Sequence, residues 1–366
     1  MKKKALRVFG NPQNFTGYGN ATQAISLAIS KSEIPAKYIL SGRNKSFVKN
    51  LEEHACDPNV DLYIQTPPFS GHRSNNYKIG YFYWEADTLP AMWAKDIKKS
   101  LDEIWAPCNL VKQACIKAGF KGPIHILPTP SIPTKGFGEI QIPTKFKDLV
   151  LDKSVFKFYS IFQWNERKGY NKLIRSYYEE FDSSDNVILI IKASPIDHPM
   201  HGVQKIKDDI LKIKSLVRRT KKDLPRIFLI TDYLDRSTID SLHHTCDAFV
   251  LPHHGEGWGM PIHDAVNHGN LIITTKYGGI TEWLNNDNAF IIDHSIVPVS
   301  KMNWNPWYNE SQRWANPSSN SLKKQMRICF SNKDKFDYKK ENLLAVSELL
   351  TIEKCSENIK HIFGRI

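Results

Sequence analysis

Between His253 and Asp264 the chain gathers glycines, carboxylates and a proline in one short run: His253-His254-Gly255-Glu256-Gly257-Trp258-Gly259-Met260-Pro261-Ile262-His263-Asp264. The apolar run Ala248–Leu251 before it reads as a buried strand. Alternate glycines let backbone approach a ligand closely. Pro261 suits a first helical position, and Gly269 stops the helix after His268. Strand, glycine loop and helix N-terminus in that order point free N–H groups and a positive dipole end at one spot, which suits phosphate. The backbone of Gly257, Trp258, Gly259 and Met260 would line that spot. Glu256 and Asp264 flank it, and carboxylates repel phosphate, so they are expected to hold hydroxyls. Phosphate beside hydroxyls suggests a nucleotide sugar; the competing reading is an ordinary strand–turn–helix connection.

A second candidate element is Phe162-Gln163-Trp164-Asn165-Glu166-Arg167-Lys168-Gly169, after an apolar strand and before a helix. Adjacent cations at a strand's carboxyl end suit a diphosphate leaving group, whose charge grows as a glycosidic bond breaks. A solvated cation pair at a helix start is the alternative, and the helix dipole disfavours it. Near the amino terminus, Gly10 to Thr22 runs from strand through the Gly17-Tyr18-Gly19 loop into a helix. Lys276-Tyr277-Gly278-Gly279-Ile280-Thr281-Glu282 forms another glycine-bearing turn after the strand Leu271–Thr275.

The pattern Pro-x-x-x-Glu-Gly-x-Gly-x-Pro-x-x-(Glu/Asp)-Ala, followed by Gly-Gly-x-x-Glu, resembles the donor-binding half of glycosyltransferase family 4 and its GT-B relatives. The usual Glu-x7-Glu pair is here Glu256 and Asp264, the second side chain shorter by one methylene. The resemblance implies that Glu256 contacts donor-sugar hydroxyls and Asp264 the ribose. Lys168 matches the lysine of the Arg-x4-Lys-Gly element, whereas Gln163 stands where that family has arginine, with Arg167 as its substitute. The Gly17–Gly19 loop resembles the one facing the donor diphosphate, and Tyr233 and Leu234 fall where relatives hold the nucleobase through backbone groups. Tyr83-Trp84-Glu85 and Glu103-Ile104-Trp105-Ala106-Pro107 resemble a subgroup with a Trp-Glu motif. There Glu85 is the catalytic candidate beside Glu256, orienting a sugar hydroxyl or the acceptor, and His72 is the alternative. Trp84, Trp93 and Trp105 read as core.

These residues need elements to hold them. The first half alternates apolar strands (Leu6–Phe9, Tyr38–Leu40, Leu62–Gln65, Ile79–Trp84, Glu103–Ala106, Ile124–Leu127) with helices at Gly19–Ser30, Phe47–His54, Ala91–Ser100 and Leu110–Ala118. After a linker of Pro128, Pro130, Pro133, Gly136 and Gly138, a second series follows. Its strands are Phe156–Ile161, Val187–Lys192, Ile227–Thr231, Ala248–Leu251, Leu271–Thr275 and Ala289–Ile292, with helices at Asn171–Glu180, Val203–Val217 and Thr238–His244. Alternation of this kind predicts parallel sheets covered on both faces. The expected fold is α/β, GT-B: two doubly wound, Rossmann-like domains facing a cleft. The expected boundaries are 1–150 for an acceptor-side domain, 151–330 for a donor domain, and 331–366 for a helical segment crossing back onto the first.

The chain has 366 residues, 41% hydrophobic and 24% charged, a globular composition too long for one core. Its six cysteines lack metal-site spacing and fit reduced thiols. No leader-like core follows Met1-Lys2-Lys3-Lys4, and no apolar run is long enough to span a bilayer, so a cytoplasmic location is expected. Net charge is +12, and over residues 1–150 Lys and Arg outnumber Asp and Glu by 20 to 12. That basic half permits peripheral association with an anionic membrane, or with nucleic acid. The expected activity is glycosyl transfer from a nucleotide-diphosphate sugar to an acceptor hydroxyl on a glycan or lipid-linked saccharide, with retention implied by the resemblance. A hydroxylated base of modified DNA is the alternative acceptor, and a non-catalytic nucleotide-sugar-binding module the alternative class. With no Asp-x-Asp motif, neither metal nor further cofactor is expected, and leaving-group charge falls to Arg167, Lys168 and helix N-termini.

Overall fold

The computed structural model describes residues 4–12, 17–41, 51, 54–132, 138, 140, 150–195, 199–217, 223–332 and 335–366. The sequence-predicted helix Phe47–His54 and the linker residues Pro133 and Gly136 fall largely or wholly outside them.

Two six-stranded parallel sheets carry the architecture. The first runs β2-β1-β3-β4-β5-β6, from β1 (Leu6–Gly10), β2 (Ala36–Leu40), β3 (Val60–Ile64), β4 (Tyr77–Tyr81), β5 (Glu103–Ala106) and β6 (Ile124–Ile126). The second runs β12-β11-β10-β7-β8-β9, from β7 (Phe156–Gln163), β8 (Val187–Ser194), β9 (Arg226–Ile230), β10 (Ala248–Leu251), β11 (Leu271–Thr275) and β12 (Phe290–Ile292). Central strands are buried on both faces, so they read as continuous apolar runs such as Val187–Ile191. Each fully buried Val, Leu or Ile there contributes about 1.5–3 kcal/mol of hydrophobic free energy.

The helices are α1 (Gly17–Ser30), α2 (Ala91–Ser100), α3 (Asn109–Lys117), α4 (Tyr170–Glu180), α5 (Pro199–Leu216), α6 (Arg236–Thr245) and α7 (Met260–Asn267), then α8 (Ser319–Ser331), α9 (Asp337–Leu349) and α10 (Ile352–Phe363). Strand order reverses between β1 and β3 in one sheet and between β7 and β10 in the other. Loops leaving such neighbours in opposite directions open a crevice at the strands' carboxyl ends.

The carboxyl-terminal segment divides its loyalties. α9 packs on α7 of the second sheet, and Lys339 Nζ there donates to the carbonyl of Ala289 at 3.2 Å. Only α10 crosses back: Ile352, Cys355, Ile359, Ile362 and Phe363 join Leu6, Val8 and Ile25 in the first sheet's core. Ion pairs Lys31–Glu353 and Lys360–Glu33 (2.8 Å) flank that contact at the surface.

An antiparallel hairpin, β13 (His294–Pro298) and β14 (Arg313–Pro317), was not anticipated. β13 is mostly exposed, so its sequence lacks an apolar alternation. β14 is fastened by Ala315 N to His254 O (2.9 Å) and by Arg313 N to Asp87 Oδ1 (2.7 Å). Its connecting segment, 299–312, thereby lies over the crevice. Among the described residues, no helix is long and apolar enough to cross a membrane.

Candidate functional site

The loops after β7 and β10 meet at the second sheet's switch point. After β7 a single 3-10 turn, Glu166–Lys168, ends at Gly169, whose φ of 70° is left-handed. A side chain at Gly169 would strike the carbonyl of Pro252, so glycine is required for this turn to lie against the β10 loop. The turn brings Lys168 Nζ onto Glu256 Oε1 and Arg167 Nη1 to 3.3 Å from the same oxygen. Arg167 also donates to Gly255 O at 2.7 Å, and its Nη2 lies 3.4 Å from Glu85 Oε1 of the first domain. Tyr308, from the hairpin segment, donates to the other Glu85 oxygen at 2.7 Å. Two carboxylates and two cations thus form one chain across the crevice.

Glu256, Lys168 and Arg167 are largely shielded from water, which sets their titration. Burial raises the Glu256 pKa, but Lys168 and Arg167 overcome it and hold the carboxyl at about 2. Burial lowers the Lys168 pKa below the usual range, with Glu256 opposing that and Arg167 reinforcing it. Burial works against the Arg167 cation as well, yet Glu85 and Glu256 raise its pKa further. Glu256 is the fixed charge of the pair, and the Lys168 ammonium the more easily lost. His253, fully buried next to this cluster, has no partner at either ring nitrogen among the described residues, and burial holds it neutral with a pKa of about 3.

The alternate glycines of the β10 loop make room for protein. A side chain at Gly255 would collide with the Glu85 carbonyl, one at Gly257 with Tyr83, and one at Gly259 (φ 84°) with Ile280. Cys108 Sγ donates to Gly257 O at 3.3 Å, and Glu282 accepts from Asn109 N (2.7 Å) and Nδ2 (2.9 Å), capping α3 of the opposite domain. Gly278 (φ 89°) lies against Glu256, whose carbonyl accepts from Gly279 N at 2.7 Å. The Gly-Gly turn is therefore the support of the Glu256 loop.

Other sequence-predicted residues scatter around this centre. Asp264 is buried one turn into α7, both oxygens held by Arg236 at 2.9 and 3.1 Å. A ribose hydroxyl there would share the carboxylate with a guanidinium. Trp258 and Met260 have buried side chains; the Trp258 indole donates to His263 Nδ1 at 3.3 Å, leaving only backbone for a ligand. Tyr233 is 69% exposed after β9, with Leu234 half-buried beside it. Gly17 opens α1 and faces open space, whereas Gly19 is buried in the same helix. Lys192, at the end of a predicted strand, is buried, its Nζ 3.4 Å from Ala193 O. His72 lies tilted against Tyr63 with centroids 4.3 Å apart and bonds Gln65 at 3.1 Å, away from the charged chain.

A cavity of about 290 Å³ opens beside Arg167 and Glu85, between the two domains and the 299–312 segment. Trp84 and Trp93, expected as core, are buried and also form its wall. Gln163 lines it too. Sequence reasoning missed Tyr308, Trp304, Asn165 and Arg236. The aromatic spacing Trp304-Asn305-Pro306-Trp307-Tyr308 was the available signal for the hairpin residues, and no local pattern marks Arg236.

Two facing doubly wound sheets with a final helix crossing back define the GT-B class of fold. Residues 141–297 match the family model described as Glycosyl transferases group 1, which supports a glycosyltransferase. Solved structures agree over the whole chain. Anabaena HepE in complex with UDP-glucose is similar at TM-score 0.67 and 12% identity, covering 99% of this chain and 100% of that one. Sucrose-phosphate synthase from Thermosynechococcus elongatus is similar at 0.69 and 9%, covering 99% and 98%. The E. coli structure described as trehalose-6-phosphate bound with UDP-2-fluoro glucose is similar at 0.66 and 10%, covering 99% of each. No curated protein matches the sequence.

Proposed function

We propose that this protein is a glycosyltransferase that moves a sugar from a nucleoside-diphosphate donor to an acceptor hydroxyl. The observation that carries the reading is the convergence of Arg167, Lys168 and Glu256 at the switch point of the second sheet. Nucleotides bind at such points in open α/β sheets. The family match over 141–297 and structural neighbours described with UDP-glucose and UDP-2-fluoro glucose support the same reading.

In this reading the bond from the donor's anomeric carbon to the diphosphate oxygen breaks, and the acceptor oxygen takes its place on that carbon. The acceptor's proton leaves with the diphosphate. Negative charge grows on the departing oxygen, and Arg167 and Lys168 stabilise it in a site shielded from water. Glu256 accepts from donor-sugar hydroxyls, and Asp264, steadied by Arg236, accepts from the ribose. Backbone N–H groups of the Gly257–Met260 loop and of the Gly17 helix start meet the phosphates. Glu85 orients the acceptor side. The anomeric configuration is retained, a glycan or lipid-linked saccharide is the acceptor, and the enzyme works in the cytoplasm.

The test is incubation with UDP-, GDP- and ADP-sugars while following nucleoside diphosphate release. Release from at least one donor is expected. Tight binding without any release, with or without acceptor mixtures, would leave a binding module instead.

A further inference from the structure

Both passages of the chain between the domains meet at Ser131. It follows β6 on the segment that leaves the first domain, and its amide donates at 2.8 Å to the carbonyl of Leu350, just before α10 returns to that domain. Upstream, the same segment is tied to the first sheet. Tyr81 Oη donates to Leu127 O at 3.2 Å, and the Tyr81 and Tyr83 hydroxyls each bond Thr129 Oγ1 at 2.7 Å. The Ser131 side chain turns to the second domain. Its Oγ bonds His263 Nε2 at 2.7 Å and accepts from Asn267 Nδ2 at 2.8 Å, both on α7. A short segment held by one domain at its start and by the other at its end is where a change of interdomain angle is absorbed.

His263 carries these bonds on into the glycine loop, because the Trp258 indole donates to its Nδ1 at 3.3 Å. An indole N–H can only donate, so Nδ1 carries no proton. Burial keeps the ring neutral, with a pKa of about 4, and the single proton therefore sits on Nε2 and is donated to Ser131. The direction of each bond from Trp258 to Ser131 is fixed. Trp258 is the one side chain between Gly257 and Gly259, so its buried ring is the grip that the protein has on that stretch of loop. Trp283 completes the packing, its centroid 6.1 Å from Trp258 and 5.4 Å from His263. A leucine in place of His263 would fill the same apolar surroundings; the imidazole adds two directed bonds that tie the loop to the crossing segment.

We propose that His263 is a positioning residue that couples the Gly257–Met260 loop to the interdomain hinge through Trp258 and Ser131. The proposal rests on the glycosyltransferase reading for the ligand that moves the loop; the coupling of loop to hinge does not. A diphosphate that draws the loop backbone towards itself shifts Trp258, the imidazole follows, and Ser131 passes the displacement to both crossing segments. The interdomain angle in turn sets the contacts across the crevice, Arg167 with Glu85 at 3.4 Å and Asn109 N with Glu282 at 2.7 Å. Donor occupancy thereby adjusts the crevice in which transfer takes place.

The test uses the full chain with Ser131→Ala, His263→Leu and His263→Gln, the last of which keeps an N–H directed at Ser131. Protein labelled with ¹⁵N-tryptophan reports the Trp258 indole directly, its signal assigned with Trp258→Phe. Although Ser131 bonds His263 and not Trp258, Ser131→Ala is expected to move that signal and to speed hydrogen exchange of peptides spanning 255–262 at least threefold. Calorimetry with UDP, GDP and ADP, and small-angle scattering with the tightest of them, read the ligand side. The diphosphate should shift the wild-type radius of gyration. In His263→Leu that shift should vanish and kcat fall at least tenfold, with the diphosphate dissociation constant and donor KM within threefold. His263→Gln should restore at least half of kcat. An unmoved Trp258 signal in Ser131→Ala, a wild-type scattering profile that bound diphosphate leaves unchanged, a full shift in His263→Leu, or loss of diphosphate affinity in parallel with turnover would overturn the coupling. If no nucleoside diphosphate binds the wild type, the transferase reading fails, and the indole signal of Ser131→Ala alone decides the coupling.

Discussion

Replacing Glu256 by Gln removes one charge and almost no volume. Its Oε1 touches Lys168 Nζ and lies 3.3 Å from Arg167 Nη1; Glu256 and Lys168 are buried and Arg167 is partly buried. At an effective dielectric near 20, opposite charges at that separation attract by about 5 kcal/mol. Arg167 keeps Glu85 and the Gly255 carbonyl, so the greater loss falls on Lys168, whose recorded ion pair is with Glu256. Breaking a buried pair on one side costs about 3–5 kcal/mol because the surviving charge stays desolvated. Urea unfolding at pH 7.5 should show that loss for Glu256→Gln. Glu256→Gln with Lys168→Met should recover most of it while still failing to transfer sugar. A single variant within about 0.5 kcal/mol of wild type would show that the carboxylate does not neutralise a buried ammonium.

Lys168→Ala should weaken nucleoside diphosphate binding at least tenfold by calorimetry, and an unchanged dissociation constant would remove Lys168 from the phosphate site. Gly278→Ala should destabilise the protein by more than about 2 kcal/mol, because φ is 89° and the new methyl meets the Glu256 carbonyl; wild-type stability would contradict that packing. Acid should weaken the fold early. Burial depresses His243 and His253 to about 3 and His254 and His263 to about 4, so between those values and about 6.5 the unfolded chain binds more protons. Their stabilising contribution is complete above pH 6.5 and is lost on the way down, on the order of 2 kcal/mol each by pH 5. Glu256, depressed to about 2, loses its contribution only below about pH 4.5. Unfolding midpoints that stay flat from pH 7 to 5 would refute the histidine assignment.

The strands of both sheets were legible because parallel strands buried on two faces write themselves as apolar runs, as in Ala248–Leu251 and Leu271–Thr275. The cations at 167–168 and the carboxylate at 256 were legible because switch-point loops carry chemistry on adjacent residues. Contacts remote in sequence were not. Glu85 and Tyr308 stand 223 positions apart, and nothing near either residue announces the other. The glycines at 255 and 257 were visible, but sequence alone could not tell a ligand from the Tyr83–Glu85 segment that they accommodate. Trp84 and Trp93 show a similar ambiguity, since a buried aromatic can belong to a core and to a cavity wall together. Arg236 was silent because its partner Asp264 is on a different helix.

The return of α10 to the first sheet has a consequence for biosynthesis. Leu6, Val8 and Ile25 emerge from the ribosome early, yet the apolar ridge of Ile352, Ile359 and Phe363 that covers them is translated after the entire second sheet. Domains generally consolidate in order of synthesis, but here the earliest-made half must wait, partly bare, for the last helix. Nascent chains halted before Ile352 should therefore recruit chaperones through their amino-terminal half, and release from them should coincide with completion of α10.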